Sequence, residues 1–274
     1  MHLFRSYIDA RTGPPAADAV QSALTRLTSL MPSTRVNGRY VHDPEVFPGW
    51  EEHGFAHFRK WRRTVERPPT LSAEELQAKL PVRHVSKEML RSPPADAMQC
   101  TWLGHASVLT QFQGWNILAD PIFSDRCSPV QWAGPQRVRP SPIEPSALPR
   151  TDAVVISHSH YDHLDLESVK ALAALSPPPM WFVPLGTKAW MASVGVANVV
   201  EMDWGQQAVY IDPSGTKQAR ELTVTCLPCQ HWCARTPWDR NTMLWSSWMT
   251  STAPAGGPGS APEHSYYFGG DTGY

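Results

Sequence analysis

The 274 residues carry 24 Lys and Arg against 25 Asp and Glu. That balance argues against a nucleic-acid partner recognised by bulk charge, and the length holds one large domain with or without an N-terminal extension. No apolar run approaches the roughly 18 residues of a membrane span, Met1-His2-Leu3-Phe4-Arg5-Ser6 lacks the apolar core of a secretory signal, and five cysteines in such a setting predict free thiols, so an intracellular chain, cytoplasmic or peripherally membrane-associated, is expected.

In residues 16–31, Val20, Ala23, Leu24, Leu27 and Met31 recur at helical spacing. Such a stripe packs on its own domain before it docks on a membrane or partner. Residues 35–94 read as irregular, with short helices at 54–65 and 72–80. Ser72 with Glu75 three residues on makes a capping box for the second. The first contains Phe58-Arg59-Lys60-Trp61-Arg62-Arg63, a cluster suited to an anionic lipid surface but equally to a solvated helix face, the reading favoured here. Residues 1–97 are therefore expected to form an extension wrapped on a main domain of residues 98–274.

That domain opens with short strands at 100–103, 107–112 and 115–119, joined by turns at Gly104-His105 and Gln113-Gly114. Pro121 closes the third and leaves Asp120 at its tip. The proline-rich stretch 122–150 is too long for a plain connector and suits a lid or a substrate-lining loop. A buried strand at 153–156 leads into Ser157-His158-Ser159-His160-Tyr161-Asp162-His163. Asp165 then caps a helix running to about residue 175. A strand at 180–183, a helix at 187–194 and a strand at 198–202 complete a βαβαβ rhythm. Further strands follow at 207–210, 222–227, 243–249 and 266–269.

Four imidazoles and carboxylates within six positions converge on a small volume, and these are the groups that Zn²⁺ takes as ligands. His158 and His160, two apart in extended chain, share a side; Asp162 and His163 beyond the turn face a second point, so two adjacent metals fit better than one. His231 after the strand at 222–227, and Asp271 after the strand ending near Phe268, are the further candidates, with glycines around Asp271 allowing close approach. Cys226, Cys229 and Cys233 resemble a zinc knuckle only superficially, because no second pair stands nearby.

The blocks Asn37-Gly38-Arg39-Tyr40-Val41, Thr101-Trp102-Leu103-Gly104-His105-Ala106, Asp120-Pro121-Ile122-Phe123-Ser124, His158 to Asp165, Trp181 to Gly186, Gln230-His231-Trp232-Cys233 and Gly270-Asp271-Thr272-Gly273-Tyr274 run through most of the chain after residue 36. With them the sequence resembles the metallo-β-lactamase superfamily, and within it the N-acylphosphatidylethanolamine-hydrolysing phospholipase D branch. The resemblance implies an α/β fold, the αββα sandwich, with a dinuclear site along one edge. It implies two Zn²⁺: His158, His160 and His231 on one, Asp162 and His163 on the other, and Asp271 bridging. Asp120 is implied as a catalytic aspartate that hydrogen-bonds the attacking water or assists the leaving group, and His105 as a structural histidine at a turn.

The resemblance also implies one more histidine for the second metal from beyond the Gly-Asp-Thr-Gly block, so a sandwich incomplete at its C-terminal end is expected. The implied activity is hydrolysis of N-acylphosphatidylethanolamine to an N-acylethanolamine and phosphatidate. A phospholipid substrate, peripheral membrane contact and no nucleic acid are the partners expected, with a homodimer as the oligomeric option. A greasy entrance is sought around Trp132, Trp232, Trp238 and Trp245. The alternatives are a hydrolase of the same fold acting on a soluble ester, lactone or nucleic acid, or an inactive lipid-binding relative.

Overall fold

Alternation of apolar side chains along short β-branched segments builds two sheets that share one core. The structure, a computed structural model, describes residues 6–9, 32–51, 54–66, 71–212, 220–252 and 264–273. The helix expected at 16–31 lies outside the described residues. The strands are β1 (Ser6–Asp9), β2 (Thr34–Val36), β3 (Arg39–Val41), β4 (Gln99–Gly104), β5 (Ser107–Phe112), β6 (Trp115–Ala119), β7 (Ala153–Val155), β8 (Met180–Pro184), β9 (Val199–Met202), β10 (Gln207–Ile211), β11 (Glu221–Leu227), β12 (Ser247–Thr252) and β13 (Ser265–Phe268). The helices are α1 (Phe55–Thr64), α2 (Ala73–Lys79), α3 (Lys87–Arg91), α4 (Leu166–Ala173) and α5 (Lys188–Ser193).

One sheet has the order β4-β5-β6-β7-β8-β9, the other β1-β10-β11-β12-β13. In the first, β4, β5 and β6 are antiparallel, whereas β6 to β9 run parallel, with α4 and α5 as the crossovers between the last three strands. Parallel strands covered on both faces must be apolar on both. Along β6 to β8, Ile117, Ala119, Ala153, Val155 and Phe182 face the second sheet, where they meet Ala208, Tyr210, Leu222, Val224 and Trp248. The alternate residues Leu118, Val154, Trp181 and Val183 face the helix layer of Leu90, Val169, Leu172 and Met191.

Leu118 is fully buried in that layer. Leu118→Ala is expected to cost about 2–5 kcal/mol, the transfer term plus the cavity left behind. A shift in denaturant midpoint at unchanged slope would show it.

At one end of the sandwich Arg150 bonds both Asp152, 2.9 Å away at the start of β7, and Asp212, 3.0 Å away after β10. The opposite end is left for the loops that carry the histidines.

Three features depart from the sequence reading. The segment taken as irregular contains the hairpin β2–β3, turning at Asn37 (φ 50°) and Gly38 (φ 78°), and the short helix α3, capped by Ser86. The Asn-Gly pair is the usual signature of such a tight turn. The strand expected at 243–249 starts only at Ser247, because Leu244 N donates to Leu185 O and Ser246 N to Ser157 O. Those backbone groups tie the second sheet to the first instead of extending a ladder. The capping box holds as read, with Ser72 and Glu75 bonded reciprocally.

Candidate metal centre

The chain after β7 leaves the sheet at once and is held by its neighbours. Ser157 N donates to Asp120 Oδ1 at 2.7 Å, and His160 O accepts from His163 N and Leu164 N, which closes a turn. Asp165 then caps α4 by accepting from Ser168 N at 2.9 Å, and takes a second bond from Ser124 Oγ at 2.6 Å. Arg235 locks the whole loop. Its Nη1 donates to Ser159 O and Leu164 O, both at 2.8 Å, while its guanidinium lies 4.1 Å from the centre of the Tyr161 ring and 4.8 Å from that of Trp190. Nothing local in the sequence marks Arg235 for this role, because the two carbonyls it holds lie more than seventy residues away.

Three imidazoles from two loops meet. His158 Nε2 is 2.7 Å from His160 Nδ1 and 3.1 Å from His231 Nε2, which is 3.3 Å from His160 Nδ1. Ligands about 2.0–2.1 Å from one tetrahedral ion stand about 3.3 Å apart, so this spacing is what a shared metal requires. Burial, reinforced by the neighbouring histidines, lowers His158 well below the ordinary range, while burial brings both His160 and His231 down to about 4. All three are neutral at pH 7, the form that ligates.

Asp120 is fully buried, and its oxygens are spent on protein groups rather than turned to a water. Oδ1 takes the Ser157 amide; Oδ2 accepts from Ser157 Oγ and, at 2.6 Å, from His163 Nδ1. These bonds suit Asp120 to orient the neighbouring side chains, and the effect follows from proton counting. Because Ser157 Oγ gives its one proton to the carboxylate, it must accept from His158 Nδ1, 2.8 Å away. Both His158 and His163 are then protonated on Nδ1; His158 presents an Nε2 lone pair to the site, and His163 turns its Nε2 to the second group.

The second group faces the other side of His163. Its Nε2 is 3.2 Å from Asp271 Oδ2 and 3.8 Å from Asp162 Oδ2, yet it is buried without a well-aligned hydrogen bond to either. Burial opposes a charge on His163 but is outweighed by Asp120 and Asp271, which push it up to about 10. Burial of Asp162 is likewise outweighed, by a bond from His105 and by His163, and its carboxyl falls to about 2. A locus where two carboxylates hold a proton on a buried imidazole suits a cation. Gly270, with φ at +59°, is needed there: a Cβ on it would stand 2.6 Å from Ser157 Cβ.

His105 is not the packed turn residue expected. Its side chain is about half exposed, and its Nε2 is 3.0 Å from Asp162 Oδ2.

These shifts set an expected pH response for metal-free protein. His42, stacked on Trp50 with ring centres 3.9 Å apart, is lowered to about 4 by burial, like His160 and His231. Unfolded histidines take up protons near 6.5, so all four depressed groups, His158 included, should withdraw stability as pH falls from 6.5 towards 4. The contribution of His163 is complete below 6.5 and lost as pH rises towards about 10. Denaturant midpoints in chelator should therefore peak near neutrality and fall by pH 5.

Trp102, Trp132 and Trp238 are 66%, 83% and 79% exposed. Trp232 packs on His160, ring centres 4.4 Å apart. Trp245, expected at the entrance, is instead buried, its Nε1 bonded to Cys229 O at 2.9 Å. All five cysteines are free thiols, and Cys226, Cys229 and Cys233 are buried.

Residues 115–274 match the family described as the beta-lactamase superfamily domain. An uncharacterised protein of Mycobacterium tuberculosis is 44% identical over 182 residues, covering 66% of this chain and 44% of its own length. An N-acyl-phosphatidylethanolamine-hydrolyzing phospholipase D of Caenorhabditis elegans is 35% identical over 246 residues, covering 87% of this chain and 65% of its own length. A metal-dependent hydrolase of Methanopyrus kandleri is 28% identical over 176 residues, 64% of this chain and 63% of the relative. The chain thus spans less than two thirds of the length of each.

Proposed function

This chain belongs to the beta-lactamase superfamily and has the metallo-β-lactamase fold, and we propose that it is a metal-dependent hydrolase, specifically a zinc-dependent phosphodiesterase of the phospholipase D type. Its substrate would be N-acylphosphatidylethanolamine, cleaved to an N-acylethanolamine and phosphatidate. The observation that carries the reading is the pair of adjoining ligand groups, His158 with His160 and His231, and Asp162 with His163 and Asp271, joined through the buried carboxylate of Asp120. Likeness to the worm phospholipase D over most of the chain supports the choice of substrate.

His158, His160 and His231 on one side and Asp162, His163 and Asp271 on the other would hold two zinc ions, which would supply Lewis acidity and positive charge for the phosphoryl oxygens. The protein's own part is positional. Asp120 and Ser157 keep lone pairs of His158 and His163 directed inward. Arg235 fixes the loop between them, and Asp162 and Asp271 carry the negative charge that holds cations there. The exposed indoles of Trp102, Trp132 and Trp238 suit acyl chains and a bilayer surface, with an apolar body and a polar edge. We take the membrane contact to be peripheral; no helix among the described residues is long and apolar enough to cross a bilayer.

The test uses vesicles containing N-acylphosphatidylethanolamine, zinc-loaded protein and ¹⁸O-labelled water. N-acylethanolamine should be released with the label in phosphatidate, since attack at phosphorus leaves the water oxygen there. Label in a fatty acid, or turnover confined to soluble esters or lactones, would replace this reading with that of another hydrolase on the same fold.

A further inference from the structure

We propose that His105 is a direct ligand of the second metal, its Nε2 sharing that ion with Asp162 Oδ2 and His163 Nε2. The inference rests on the dinuclear reading above and extends its ligand set to the β4–β5 turn. Each of the three residues offers one ligand atom, and the three atoms all lie within 4.8 Å of one another. The closest pair, His105 Nε2 and Asp162 Oδ2, is 3.0 Å apart, a spacing suited to neighbours on one ion. The rings of His105 and His163 stand edge to face with centres 5.3 Å apart, so two imidazoles approach the same point from different directions.

The turn that presents His105 is built for it. Gly104 has φ at 103° and His105 at 49°, left-handed backbone that histidine adopts at a cost. Two bonds hold the chain there and a third anchors the arginine that makes one of them. Trp102 Nε1 donates to the His105 carbonyl at 2.8 Å, Arg137 Nη2 to Leu103 O at 3.3 Å, and Arg137 Nη1 to Ile122 O at 3.1 Å. Gly104 lets the guanidinium in, since a Cβ would lie 2.6 Å from Arg137 Nη2. An outward-facing histidine needs none of this; one that must reach across 57 residues of sequence to Asp162 needs all of it.

The rival role is a mere hydrogen bond from His105 to Asp162. His105→Gln and His105→Asn separate the two, since glutamine can still donate to the carboxylate and asparagine tolerates the left-handed backbone. Zinc is titrated by competition with a chelator of known affinity, alongside thermal unfolding of the metal-free proteins. The unsubstituted protein should bind two ions. Both variants should keep the first and lose at least about a hundredfold in affinity for the second, the upper end of what removing an outer-shell partner costs. Unchanged binding of two ions by His105→Gln would overturn the proposal. Binding of a single ion by the unsubstituted protein would instead overturn the dinuclear reading, and this inference with it.

A second measurement needs no variant. Diethyl pyrocarbonate should modify His105 in chelator-treated protein and not in zinc-loaded protein, read by peptide mass spectrometry. Equal modification in the two states would also overturn the assignment.

Discussion

Asp120→Asn is expected to lower turnover by about 10⁴-fold, while the protein folds normally. The magnitude follows from the effect of a wrong imidazole tautomer in a hydrolase whose geometry is otherwise intact. In this protein the same carboxylate governs two rings. An amide oxygen placed at Oδ1 could still accept from Ser157 N, but the NH₂ group would face Ser157 Oγ and His163 Nδ1, which now donate. His163 would then have to accept at Nδ1 and carry its proton on Nε2, directed at the ligand site. Ser157 Oγ, receiving a bond, would turn its own proton to His158 Nδ1, with the same result for His158. Zinc affinity should fall at least 10–100-fold, as for other outer-shell losses. Nitrogen chemical shifts of the two rings should report the exchanged tautomers. A variant with wild-type zinc affinity and unchanged tautomers would show that Asp120 does not act through these histidines.

Asp271→Asn is the second large effect. Its carboxylate is held below the ordinary range by His163, whose Nε2 lies 3.2 Å away, so at neutral pH it is an anion facing a buried imidazole. The amide removes a charge and one strong metal-binding oxygen while keeping the shape. Hydrolysis should become undetectable, a loss of more than about 10³-fold, and the zinc content should drop from two ions to one. In metal-free protein His163 should titrate lower, because one of the two carboxylates that raise it is gone. Unchanged turnover would mean that the centre lies elsewhere.

The loop of candidate ligands could be read from sequence because they are contiguous and follow an apolar strand. The positions of His231 and Asp271 were legible for a related reason: each follows a strand that delivers it to the same end of the sandwich. What sequence did not reveal is whatever depends on chain segments that meet only in the fold. Arg235 clamps a loop more than seventy residues distant. Asp120 was placed at the tip of β6, but which way its oxygens turn depends on Ser157 and His163. Likewise the turn at Gly104-His105 was visible, whereas the reach of His105 to Asp162 was not. The hairpin at Asn37-Gly38 was the exception: its signal lay in the residues themselves.

The candidate ligands are divided between the two sheets. His158, His160, Asp162 and His163 follow a strand of one, while His231 and Asp271 follow strands of the other. Protein bonds already join the two at this end, from Trp248 Nε1 to Ile156 O and from Ser246 N to Ser157 O. An ion bound across them would therefore work as a clasp between two sheets that the chain itself joins by the short β9–β10 connection. A free metal concentration a hundred times its dissociation constant would stabilise the assembled sandwich by about 2.7 kcal/mol. Zinc supply would then set how long the molecule survives as well as how fast it turns over, and chelation would open it along this seam.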